Sequence, residues 1–104
     1  MSFNGNEGEF ISLDEASQMT ARYRNTIQPG EVIGLFVGRE LVEQLLAQSD
    51  CVGLRVYYAF DENGEKNLVC VGVDQNEDDL FEGLIIDRYK KCPPRCSKKN
   101  PLNS

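Results

Sequence analysis

Apolar positions first fall into a helical rhythm after Ser12. Leu13, Ala16, Met19, Thr20, Tyr23 and Ile27 recur three and four residues apart, which places them on one helix face ending before Pro29-Gly30. Ser12 followed by Glu15 reads as a capping box: the hydroxyl accepts from the Glu15 amide while the carboxylate reaches back to the Ser12 amide. Glu31 to Val37 is a short apolar run of the length of a buried strand, weakened by Gly34. The stretch GRELVEQLLAQ then sets Leu41, Val42, Leu45 and Leu46 against Arg39, Glu40, Glu43 and Gln44, the pattern of a second amphipathic helix stopping near Ser49-Asp50.

Beyond Cys51 the period changes to two. Val52, Leu54, Val56, Tyr58 and Phe60 alternate with Gly53, Arg55, Tyr57 and Ala59, and Asp61 to Gly64 separates this run from LVCVGV at 68–73. Asn63-Gly64 tolerates positive φ, so the two runs predict a β-hairpin. After the polar break DQNEDD at 74–79, Leu84, Ile85 and Ile86 suggest a third strand added to the hairpin, with a helical turn through Leu80 to Glu82 as the alternative. The simplest arrangement that buries these stripes is an α+β domain, a three- or four-stranded mainly antiparallel sheet with two helices packed on one face. Residues 1–9 carry no period and read as a disordered start, residues 10–89 as the single α+β domain, and residues 90–104 as an extended basic tail rich in Cys and Pro. The sheet face away from the helices would carry Arg55 and Tyr57, with Val69, Val71 and Val73 or Cys70 beside them according to register. An exposed valine row there would favour a homodimer or a binding groove, unless the C-terminal segment covers it.

The size changes little in this picture: 104 residues with 40% hydrophobic and 27% charged positions suit one small domain with a modest core. No apolar run reaches the roughly 20 residues that cross a bilayer, and the start lacks a secretory pattern. The expectation is therefore a soluble, cytoplasmic protein with no membrane partner.

Charge changes the picture more. The net −6 is unevenly spread, because all 17 acidic residues lie at or before Asp87, whereas six of the 11 basic residues are Arg88, Lys90, Lys91, Arg95, Lys98 and Lys99. An acidic body repels phosphate backbones and argues against nucleic acid. The basic arm could stay solvated, pack back on its own body, or meet a phosphate or an acidic protein. A protein-interaction surface through Arg55, Tyr57, Lys90, Lys91 and Arg95 follows as the first functional expectation, with an unidentified protein as partner.

Candidate chemistry is sparse. Without histidine the chain lacks the commonest general base and the usual nitrogen ligand of zinc, and the remaining carboxylates, Lys, Tyr and Cys form no recognisable catalytic set, so an enzyme is not expected. No cofactor motif or phosphate-binding glycine loop is present. Asp74, Asn76, Asp78 and Glu82 imitate part of a calcium loop, but Asp79 stands where glycine is needed and Ile85 where a bidentate glutamate belongs. Cys92 and Cys96 frame CPPRC. That spacing can close a small disulfide, supply two ligands of a thiolate metal site, or leave two free thiols, and the cations around it favour the thiolate. The spacing is one residue too long for a thioredoxin-like site, and the prolines bar a helix between the thiols. Cys70, inside LVCVGV, reads as a small buried hydrophobe, while Cys51 joins the tail only if the fold brings them together. A thiol-based redox or metal-binding role at Cys92 and Cys96 is the alternative functional expectation.

The segment CVGLRVYYAFDENGEKNLVCVGVD, with the closing CPPRCSKKNPLNS, resembles a group of small, uncharacterised single-domain bacterial proteins of the Bacteroidetes type. The resemblance runs from about the capping box to the end. It implies a free-standing bacterial protein, and it transfers no activity, cofactor or site residue.

Overall fold

The computed structural model describes residues 2–104; Met1, the first residue of the expected disordered start, lies outside them. The chain is α+β, in the order α1 (Leu13–Arg24), β1 (Gly34–Phe36), α2 (Arg39–Leu46), β2 (Gly53–Phe60), β3 (Lys66–Val73), β4 (Ile85–Ile86) and β5 (Lys90–Cys92). Its strands form two antiparallel sheets, β2-β3-β4 and β1-β5. Contacts divide the chain into two units: one holds the described residues up to Glu7 with Val37–Tyr89, the other Gly8–Phe36 with Lys90–Ser104.

The first unit is built on the β2-β3 hairpin. The Asp61 carboxylate accepts from the backbone N–H groups of Asn63 and Glu65, both at 2.9 Å, and Gly64 takes φ +79°, a left-handed value that glycine adopts without steric cost. Register pairs Val56 with Cys70 and Cys70 with Ile86, so these three share a face, and α2 packs there through Leu45, which is fully buried against Cys70 and Ile86. The rest of the α2 stripe is less enclosed than its pattern predicts, since Leu41 and Leu46 remain exposed. An eight-residue helix is only about 12 Å long and covers the middle of the sheet rather than its breadth.

Gln48, just beyond α2, ties the helix to the sheet. Its Nε2 donates to the Leu45 carbonyl at 2.8 Å, and its Oε1 accepts from the Leu84 N–H at 2.8 Å. The side chain threads between two glycines: a Cβ at Gly72 would lie 2.9 Å from Nε2, and one at Gly83 would lie 2.2 Å from Oε1. On the opposite sheet face the register aligns Val71 with Arg55 and Val69 with Tyr57. Val71 and Val73 are 4% and 3% exposed and Val69 is half-buried, so the valine row considered from sequence is closed at two of its three positions.

Before the hairpin, Phe3 donates its N–H to the Gln75 carbonyl at 2.9 Å, and the Glu7 carboxylate accepts from the N–H groups of Asn4 and Gly5. These bonds, first among them that from Asn4, hold the Glu7 carboxyl below its ordinary value.

The second unit contains α1 and the β1-β5 ribbon. Ser12 caps α1 as its sequence predicts, accepting from the Glu15 N–H at 3.1 Å. No residue of α1 is buried, and Val32 is the only buried hydrophobic residue of this unit among those described. Polar bonds are prominent instead. The Tyr23 hydroxyl donates to the Val32 carbonyl at 3.2 Å, and the Arg24 guanidinium donates to the carbonyls of Leu102 and Ser104 at 2.6 and 2.8 Å. Pro93, Pro94 and Pro101 disfavour a backbone ladder in the basic segment. Lys90–Cys92 nevertheless pairs with Phe36–Gly34, because these three residues precede the prolines and keep their N–H groups.

Candidate functional site

Cys92 is the last residue of β5 and sits opposite Gly34, its carbonyl accepting from the Ile33 N–H at 2.8 Å. The chain then turns through Pro93-Pro94, and the Arg95 N–H donates to the Lys91 carbonyl at 2.9 Å. This turn carries Cys96 back to Cys92. The two lie at disulfide distance, with Cα atoms 4.7 Å apart, inside the usual range for a bridged pair. Cys92 is half-buried and Cys96 is exposed. One sulfur therefore belongs to a residue fixed by a ladder, and the other to a residue on an open turn.

The remaining thiols are unlike this pair. Cys70 is buried in the first unit, where the Tyr89 hydroxyl donates to its sulfur at 3.0 Å. Burial, and then the contact with Cys70, push the Tyr89 hydroxyl far above its ordinary value and keep it a donor. Cys51 is half-buried, with its thiol directed at the Gly53 carbonyl 3.1 Å away. Among the described residues no three His, Cys, Asp or Glu side chains come together as a metal-binding group. The imitation calcium loop is occupied internally: Asp74 Oδ1 accepts from the N–H groups of Asn76 and Asp78 at 2.8 and 3.1 Å.

Of the five residues suggested as an interaction surface, Arg55 and Tyr57 lie on β2, Lys90 and Lys91 on β5, and Arg95 in the Cys92–Cys96 turn. The structure brings Arg55 and Tyr57 together around Asp79, a residue the sequence reading did not select. Arg55 Nη1 lies 2.5 Å from Asp79 Oδ1, and the Tyr57 hydroxyl donates to Oδ2. Asp79 reaches them because the Asp74 carboxylate organises the turn, Glu77 adopts φ +70°, and Asp79 bridges back to Val73. The hydrogen bond from Tyr57, with the Arg55 guanidinium beside it, holds the Asp79 carboxyl below its ordinary range; the same carboxylate raises both the Tyr57 hydroxyl and Arg55. Arg55 thus directs its charge at an internal partner. The signal that could have found this cluster was the excess of acids in the connection that follows β3, directly after a strand carrying a cation on its neighbour.

No helix among the described residues is long and apolar enough to cross a membrane. Compared with family models, with curated proteins and with solved structures, the chain matches none.

Proposed function

We infer that this protein acts through thiol–disulfide exchange at Cys92 and Cys96. The observation that carries the reading is an accessible cysteine pair at disulfide distance, one member anchored at a strand end and the other exposed on a short turn. A bridge across so few residues restricts the unfolded chain little, by about 2 kcal/mol on the loop-entropy relation. It can therefore open without dismantling the first unit, whose core contains neither cysteine.

The reaction is a two-electron exchange with a reductant of the thiol class, either a monothiol tripeptide or a protein dithiol. The incoming thiolate attacks Sγ of exposed Cys96, a mixed disulfide forms there, and Cys92 leaves as a thiolate that takes a proton from water. A second thiol of the reductant then displaces Cys96, so the donor ends as a disulfide and the protein as a dithiol. Lys90, Lys91 and Arg95 flank the sulfurs in sequence and favour both the approaching and the departing thiolate. They also suit a protein dithiol with an acidic face. In a cytoplasmic setting, where structural disulfides are rare, a bonded pair of this kind belongs to a redox-active protein.

Intact mass after acid quench, in glutathione buffers spanning about −180 to −320 mV, tests this. The wild type is expected to pass from the bonded form to the form with two added hydrogens inside that window, and Cys92→Ser is expected to retain glutathione on Cys96. A pair that stays bonded throughout the window, or a Cys92→Ser protein that takes up no adduct, would overturn the reading.

A further inference from the structure

The edge strand β2 is left with an apolar row. Its sheet runs β2-β3-β4, so β2 has one paired side, and among the described residues no strand pairs with the other, where Phe3, Gly5 and Glu7 line a groove with Val52 to Val56. The bond from the Asp61 N–H to the Glu65 carbonyl at 2.9 Å sets the alternation: odd-numbered residues of β2 aim their backbone groups at β3, and Leu54, Val56, Tyr58 and Phe60 aim theirs outward. The same four residues share the face of Cys70, on which α2 packs, yet α2 leaves them 39%, 40%, 94% and 73% exposed. A long edge strand with free backbone groups and apolar side chains is a pairing template.

We propose that β2 pairs antiparallel with β2 of a second copy of this chain about a two-fold axis at Tyr57, joining two three-stranded sheets into one of six. Size complementarity along the strand favours a second copy. Aliphatic Leu54 and Val56 occupy the first half of the strand and aromatic Tyr58 and Phe60 the second, so two-fold pairing sets Leu54 opposite Phe60 of the other copy and Val56 opposite its Tyr58. Every exposed apolar side chain of the row then meets an apolar partner of the other size class, the kind of cross-strand pair that stabilises sheets. The only charged residue of the strand, Arg55, falls opposite Ala59 and faces Asp79 of its own chain. The two Arg55 residues are about 13 Å apart at the usual strand rise, beyond one screening length at 0.1 M salt.

The area is adequate. An aromatic side chain buries about 150–250 Å², so Tyr58 and Phe60 offer on the order of 300 Å² per copy. With Leu54, Val56 and the backbone edge, the pairing covers at most on the order of 1,000 Å² in total, the size of a weak, reversible interface. The proposal is independent of the chemistry at Cys92 and Cys96.

Sedimentation of the full chain, from low micromolar to several hundred micromolar, is expected to give the mass of two copies at the upper end. Tyr58→Lys, at a position too exposed to affect folding, is expected to restore the single-copy mass, with Phe60→Lys as a second variant. Hydrogen exchange on the wild type reads the register directly: the Val56 and Tyr58 amides should exchange about tenfold more slowly at high than at low concentration, while the β3-facing Arg55 and Tyr57 amides stay protected at both. A chain that remains single at every concentration, including one whose β2 accepts only a strand from a different protein, would overturn the proposal. So would a dimer that survives Tyr58→Lys or leaves the Val56 and Tyr58 amides unprotected.

Discussion

The two units of this chain are held together by different physics. In the first, a hairpin of two eight-residue strands and a short third strand present Cys70 and Ile86 to Leu45, while Val71 and Val73 are closed over on the other face; removal of apolar surface from water supplies most of the stabilisation. In the second, α1 buries no residue and Val32 is the only buried hydrophobic residue among those described. Order there depends on a three-residue ladder, a cysteine pair, and the bonds from Arg24 to the Leu102 and Ser104 carbonyls. A two-stranded ribbon alone is marginal in water, and small structures with little core depend on such staples. The lesson is that the cysteine pair lies where covalent and polar ties matter most.

The contrast is broken most severely at Leu45. Leu45→Ala empties the centre of the apolar core and is expected to cost about 2–5 kcal/mol, seen as a lower denaturant midpoint with lost amide protection concentrated in β2 and β3. Equal losses in the β1-β5 ribbon would erase the distinction between the units.

Next comes Gly83→Ala, which places a methyl group on Gln48 Oε1 and must displace the side chain that ties Leu45 to Leu84. The expected cost is about 1–3 kcal/mol, and Gly83→Ala combined with Gln48→Ala should recover part of it. No recovery in that double mutant would show that the glycine serves the backbone rather than Gln48.

Replacing both Cys92 and Cys96 by Ser is expected to cost no more than about 2 kcal/mol, with faster exchange of the β1 and β5 amides and unchanged protection in β3. A chain that fails to fold without the pair would place the bridge among the main supports of the whole protein.

The smallest effect is on pH. Because its carboxyl is held below the ordinary value of 3.8 by Tyr57 and then Arg55, Asp79 contributes stability that is fully present above that value and lost as pH falls through the depressed one. Tyr57 is raised, so its share is present below its ordinary range and lost as pH rises through the raised value. Asp79→Asn should flatten the acid limb of a stability–pH curve, and an unchanged limb would remove Asp79 from the account.

How much of this was legible beforehand follows the range of the interactions. The Ser12 cap, α2 and the hairpin are encoded within a few residues of themselves, so period and turn chemistry located them. The strand at Ile85–Ile86 was also within reach as a short branched run. β5 was not, since Lys90-Lys91-Cys92 has no strand-like alternation and its partner lies at Gly34–Phe36. The Arg55–Tyr57–Asp79 cluster was half visible, because it depends on a non-glycine residue at positive φ, Glu77, to swing the acid back. Nor does composition mark the boundary between the units, which falls at Glu7, Phe36 and Tyr89 without a linker-like stretch.

The order of the strands along the chain has a consequence for synthesis. Chains leave the ribosome at about 5–20 residues per second, first residues first. β1 at 34–36 therefore emerges without its partner, and the hairpin, α2 and β4 all appear before β5 at 90–92 completes the ribbon. Closing that long loop as an unstructured chain costs entropy that grows with its length, whereas a hairpin folded in between shortens the path the ends must search. Folding of the inserted unit thus precedes completion of the ribbon in chain order, and Cys92 meets Cys96 only at the end of this sequence, after the apolar core has already had time to form.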